Sequence, residues 1–307
     1  MFEERGTSMK PSSKLSHFRT EAGKKEFLAA YHEAMALLPP PTETKDITTD
    51  FGSVRVYAFV KQENGHKDPI VLLPGRSAST PMWEPNIQGL LEERPVYSID
   101  ALGEPGLSVQ TAEIKGSRDQ ALWLHQVLSA LPLKKAHLMS VSFGGWAAMN
   151  LVRAYPEAVA SLSLLDPVFV FVPISAKVLF LSLPATIPIV PKPIREKMLG
   201  YISGGIQANE RIPVAKLIAI SMKQFAIKLP PPDQFSQHDL RTIHIPVLAL
   251  MAEKSAMHDA RKAVENGKKW MSTLDIELWP NASHAINGEY PREINKRVLS
   301  FIEHHAQ

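Results

Sequence analysis

The sequence predicts an α/β fold, with a mostly parallel central sheet covered by helices on both faces and a helical cap insertion. Three observations lead there. Short continuous apolar runs recur at residues 70–73, 96–99, 137–141, 162–165, 247–251 and 276–278, and continuous rather than alternating runs suit strands buried on both faces. Helical patterns lie between them, as in the face made by Leu124, Val127, Leu128 and Leu131 and that made by Ile294, Val298, Phe301 and Ile302. Finally, many of the chain's 25 prolines fall within residues 167–239, where the alternation of strand and helix stops.

In chain order, residues 1–24 alternate charges with Ser and Thr and carry no apolar run of signal-peptide length, so they read as a disordered arm of a cytoplasmic protein. Leu28, Tyr31, Met35 and Leu38 then predict a helix from Lys25, ended by Pro39, Pro40 and Pro41. Residues 45–49 and 54–60 flank the turn formers Asp50 and Gly52 and predict an antiparallel hairpin. The core is expected over residues 25–166 and 240–307, with residues 167–239 as a helical cap laid over the strand ends. The run 168–190 is apolar, but Lys177 and its prolines leave no uninterrupted stretch of about twenty apolar residues. A cap lining an apolar pocket is therefore expected, with contact at a membrane surface as the lesser alternative.

Composition narrows the function. The 34 Lys and Arg against 31 Asp and Glu leave a net charge of only +3, too balanced for a long basic groove, so nucleic acid is not an expected partner. The absence of cysteine removes disulfides, thiolate metal sites and a cysteine nucleophile. No His or acidic cluster has the spacing of a metal site.

The segment His137-Leu-Met-Ser-Val-Ser-Phe-Gly-Gly-Trp146 runs from a buried strand into a helix through a small-residue turn. A nucleophile elbow requires small residues two before and two after the nucleophile, because the tight turn brings their backbones together. Ser142 meets this with Ser140 and Gly144, whereas Ser140 as nucleophile would place Leu138 in one of those positions. Farther on, Trp279-Pro-Asn-Ala-Ser-His284 puts a histidine on a polar loop after a strand, where it could take a serine proton near neutral pH. The oxyanion of an acyl-transfer site needs two backbone N–H donors. Here those are Phe143, next to the nucleophile, and Arg76, in the Pro-Gly75-Arg loop after residues 70–73.

These segments in this order, with Asp100-Ala-Leu-Gly-Glu-Pro-Gly-Leu-Ser108 between them, resemble the α/β-hydrolase family over about residues 41–301. The Thr-Pro-Met-Trp run and Pro85 to Ile87 make the chain most similar to bacterial carboxylesterases of the naproxen-esterase kind. The resemblance implies a serine hydrolase with no metal or organic cofactor, acting on small-molecule esters of small to medium apolar substrates. A C–C hydrolase, lactonase or perhydrolase activity would use the same serine. Two departures stand out: Pro74 replaces the usual His, and Ser255 occupies the place of the family's usual acid. Asp166, Asp259 and Glu253 could each substitute, in that order of preference. Asp259 equally suits a helix N-cap. If none does, the alternative is a non-catalytic hydrolase-like protein that binds a small apolar ligand.

Overall fold

Each apolar run is a strand in the computed structural model, which describes residues 14–178 and 212–305. The chain enters through β1 (His17–Phe18) and α1 (Glu21–Met35), then forms the hairpin of β2 (Glu43–Thr49) and β3 (Gly52–Phe59). There follow β4 (Ile70–Leu73), a 3-10 turn at Thr80–Trp83, α2 (Glu84–Leu91), β5 (Val96–Ile99), β6 (Val109–Gln110) and α3 (Ser117–Ala130). Next come β7 (Ala136–Val141), α4 (Phe143–Ala154) and β8 (Val159–Leu165). After the insertion, and numbering the helices over the described residues, α5 (Pro213–Gln224), β9 (Phe225–Ala226), α6 (Gln237–Arg241), β10 (Val247–Ala252) and α7 (Ala260–Trp270) lead to β11 (Leu274–Trp279), α8 (Ile286–Glu289) and α9 (Pro291–His305).

The main sheet has the order β11-β10-β8-β7-β4-β5-β3-β2, with β6 beside β3. It is parallel from β11 to β5, and the hairpin continues it antiparallel through β3. Successive side chains point to opposite faces, which explains the continuous runs. Val71 and Leu73 pack with α3 and α4 through Trp123, Leu124 and Met149. Ile70 and Leu72 pack on the other face with Phe27, Ile87 and Val298 of α1, α2 and α9. Each such fully buried apolar side chain contributes about 1.5–3 kcal/mol relative to exposure.

Two expectations about the chain's first part change. Residues 14–24, expected within a disordered arm, carry β1 and the start of α1, whose N-cap Thr20 accepts a hydrogen bond from the Gly23 N–H at 2.9 Å. The helix therefore begins at Glu21 rather than Lys25. Partners between β8 and β10 hold this segment: β1 pairs antiparallel with β9, and α1 packs along α5. A two-residue strand and a polar helix start give no periodic signal, so only their partner reveals them. The rest of the expected arm and residues 179–211 of the expected cap lie outside the described residues. No helix among the described residues is long and apolar enough to cross a membrane.

A buried Asp100 ties α1 to the loops over the sheet. Its carboxylate accepts from the Thr80 and Leu107 N–H groups at 2.9 and 2.8 Å, and the Tyr31 hydroxyl lies 2.8 Å from it. Because β4, β7, β8 and β10 are neighbours, with β11 beyond β10, their carboxyl ends converge on one edge. There the chain places the loops holding Arg76, Ser142, Asp166, Ser255 and His284, the position where open α/β sheets present their sites.

Candidate active site

Ser142 joins β7 to α4 with φ 54° and ψ −121°. That left-handed backbone is unfavourable for a serine and persists only where its surroundings hold it. Close packing does so here: a Cβ on Gly144 would lie 2.5 Å from the carbonyl oxygens of Leu73 and Pro74, and one on Gly75 would lie 3.3 Å from Ser142 Cβ. Gly144→Ala is accordingly expected to destabilise the fold by about 1–3 kcal/mol through overpacking. A lowered thermal midpoint with reduced ester turnover is the expected measurement, and an unshifted midpoint would show that the β4 loop can yield. Among the described residues the other non-glycine positions with positive φ are Ser77, Asp166 and Phe169, so backbone strain collects around this one site.

Ser142 Oγ is 2.9 Å from His284 Nε2, and His284 Nδ1 is 2.6 Å from Asp166 Oδ2. The carboxylate can only accept, so Nδ1 carries the proton, which leaves the Nε2 lone pair to face the Ser142 hydroxyl. Asp166 follows β8 with φ 44° and is fully buried. Its other oxygen, Oδ1, accepts from the Ala252 N–H and from His258 Nε2–H, each at 3.0 Å. Burial alone would push the Asp166 carboxyl up. The hydrogen bonds from His258 and His284 oppose that and hold it well below the usual carboxylate range.

The remaining acid candidates are engaged elsewhere. Asp259 caps α7, accepting from the Lys262 N–H at 2.9 Å, and Glu253 pairs with Arg261. Ser255, in the place where the resemblance puts an acid, has its Oγ 3.5 Å from His284 Nδ1, well beyond the Asp166 contact. A histidine with no acid partner therefore does not describe this structure.

Arg76 lies on the loop after β4 and Phe143 opens α4 beside Ser142, and neither backbone N–H is taken by an acceptor among the described residues. Their side chains meet, with the Arg76 guanidinium 3.8 Å from the centre of the Phe143 ring, within cation–π range. The buried Glu104 anchors this pair, its Oε2 accepting from the Ser77 N–H at 2.9 Å and its Oε1 from Arg76 Nε at 3.3 Å. Burial pushes the Glu104 carboxyl up, while Arg76 and the Ser77 N–H draw it back part of the way. Beside the site, Val168, Val178 and Met257 form an apolar cluster with Phe143, Phe169 and Ile174 against it. These residues follow Ser142, Asp166 and Ser255 closely in sequence, so each polar group is flanked by apolar ones.

Sequence reasoning had no role for Glu104 or His258. The Asp100 to Ser108 segment contains Glu104 but no spacing marks it as buried. His258 sits just before a helix N-cap, where a histidine ordinarily reads as surface. No group of three or more metal-ligating side chains occurs among the described residues.

Known proteins bear out the resemblance. The chain is 28% identical over 285 residues to an uncharacterized carboxylesterase, nap, of Bacillus subtilis, covering 90% of this chain and 92% of that protein. It is 27% identical to carboxylesterase YbfK of the same organism, covering 90% and 93%. The crystal structure of naproxen esterase (carboxylesterase NP) from Bacillus subtilis superposes with a TM-score of 0.82 at 26% identity, covering 92% of this chain and 99% of that one. The model of the alpha/beta hydrolase family matches residues 70–297; with the sheet order and the strand-end loops described above, the chain belongs to the α/β-hydrolase family.

Proposed function

We propose that the protein is a carboxylesterase-like serine hydrolase that cleaves esters of small to medium apolar substrates through an acyl-enzyme. The observation that carries the proposal is the continuous line from Ser142 Oγ through His284 to the buried Asp166, at 2.9 and 2.6 Å. Ser142 attacks the ester carbonyl while His284 Nε2 takes its proton. The oxyanion so formed accepts hydrogen bonds from the Phe143 and Arg76 N–H groups. His284 then returns the proton to the leaving alcohol, and a water activated by the same nitrogen releases the acid and restores Ser142. No step needs a metal or an organic cofactor.

Support comes from the strain at Ser142, from the ionised state favoured for Asp166, and from the carboxylesterase names of the similar Bacillus proteins. The apolar groups around the site favour an apolar acyl chain over a charged one. Residues 167–239 are read as the cap over that chain, and the protein as cytoplasmic. The test is a panel of p-nitrophenyl esters of increasing acyl length, with a p-nitrophenyl alkylphosphonate, which loses p-nitrophenolate as Ser142 Oγ bonds to phosphorus, located by peptide mass. Turnover of the shorter esters and an adduct on Ser142 are expected, whereas an adduct elsewhere or no turnover across the panel would refute the reading.

A further inference from the structure

His258 lies outside the proton path from Ser142 to His284 yet touches the group that orients it. It sits on the loop between β10 and α7 with its side chain 1% exposed, and its Nε2 is 3.0 Å from Asp166 Oδ1. That oxygen is the one facing away from His284, so the carboxylate is held between two imidazoles. The loop itself is pinned on both sides of the histidine. Met257 O accepts from the Ser175 N–H at 2.7 Å, and the next residue, Asp259, caps α7.

The other ring nitrogen shows what the imidazole is for. His258 Nδ1 is buried and has no hydrogen-bond partner among the described residues, so a second ring proton would meet no acceptor among them. A leucine or phenylalanine would fill the same space without stranding a polar atom. What the imidazole adds over these is one donor, Nε2–H, aimed at Asp166. The Ala252 N–H reaches the same oxygen from the end of β10. Two donors converging from different elements fix the plane of the carboxylate, and with it the direction in which Oδ2 faces.

We propose that His258 is a positioning residue of the catalytic group, holding the Asp166 carboxylate ionised and turned so that Oδ2 meets His284 Nδ1–H. The proposal rests on the reading of Ser142, His284 and Asp166 as nucleophile, base and acid. Its reach is through Asp166 alone, so it should act on turnover and hardly on substrate binding.

The experiment compares His258→Gln, His258→Asn and His258→Phe with the native protein. The Gln amide extends about as far as Nε2 and keeps a donor. The Asn amide stops short, and Phe fills the ring volume with no donor. In Asn and Phe, kcat on a short p-nitrophenyl ester is expected to fall about 10- to 100-fold, the range set by losing a hydrogen bond to a charged group. KM should stay within about twofold, while Gln recovers most of the rate. The low-field proton resonance of His284 Nδ1–H should move in Asn and Phe and stay in Gln, which a merely space-filling role would not produce. A folded Asn or Phe variant with native kcat overturns the proposal, as does a Gln variant as slow as those two. Ser142→Ala run beside them separates the two levels. If it retains turnover, the underlying reading fails and this one with it. If it is silent while His258→Phe runs at the native rate, only the role of His258 fails.

Discussion

Ser142→Ala is expected to lower ester turnover by about a millionfold, the scale on which losing the serine of such a group is felt. Alanine removes Oγ, so no acyl-enzyme can form and His284 has no hydroxyl from which to take a proton. The fold should tolerate the change. The positive φ of 54° at this position is as unfavourable for alanine as for serine, and no buried hydrogen bond is stranded except at His284 Nε2, which can turn to water. The expected record is therefore a near-native melting curve, a native affinity for a product acid, and a kcat about a millionfold down, keeping only the residual rate that the oxyanion donors and binding supply. Turnover within tenfold of native in a folded Ser142→Ala protein would mean that another group carries the reaction.

Asp166→Asn is expected to lower kcat by about ten-thousandfold, through the tautomer of His284 rather than through any loss of shape. At present Asp166 Oδ2 accepts the Nδ1 proton at 2.6 Å. Of the two oxygens of Asp166, Oδ1 already accepts two donors, from Ala252 and His258. An asparagine would keep its carbonyl oxygen on that side and turn its NH2 toward His284. Two donors then face each other unless the imidazole shifts its proton to Nε2, where it can no longer accept from Ser142. Asp259→Asn is the control that separates this effect from a general loss of acid charge. Asparagine caps a helix about as well as aspartate, so the capping contact to Lys262 at 2.9 Å survives and turnover should stay native. If the two variants exchange behaviour, the acid has been assigned to the wrong loop.

The Asp166 interaction also carries a pH consequence for stability. Its folded-state carboxyl is held below the ordinary range by the two histidines, against the opposing effect of burial. A depressed carboxyl stabilises the fold above its unfolded-state value, and that contribution is lost as the pH falls through the folded-state value. Acid unfolding should therefore begin at higher pH in Asp166→Asn than in the native protein.

How much of this was legible before folding can be judged residue by residue. The central strands are legible because strands buried on both faces are rich in apolar residues, even though β7 and β8 also bury His137, Ser161 and Ser163, and the helical patterns between the short runs set them apart. Ser142 is legible because the elbow constrains its neighbours locally, as the 2.5 Å approach at Gly144 shows. His284 can be read from its loop and its order after the serine. Asp166, Asp259 and Glu253 remain open at that level, since each is a carboxylate near a strand end. Nothing in the local sequence says which one turns inward. The helix start at Glu21 is hidden for a related reason, because the partners of β1 and α1, which are β9 and α5, lie about two hundred residues farther along the chain.

The chain's pattern of apolar runs, small residues and prolines decides the fold class and two of the three members of the proposed group, since each of those requirements is met within a few residues of backbone. The third member and its support needed the assembled sheet. Only when β8 and β10 lie side by side does Asp166 come between His284 and His258, fully buried and bonded to both. Hydrogen bonds and desolvation depend on distances in space, and residues 92 and 118 positions from Asp166 meet it only through the packing of the whole sheet.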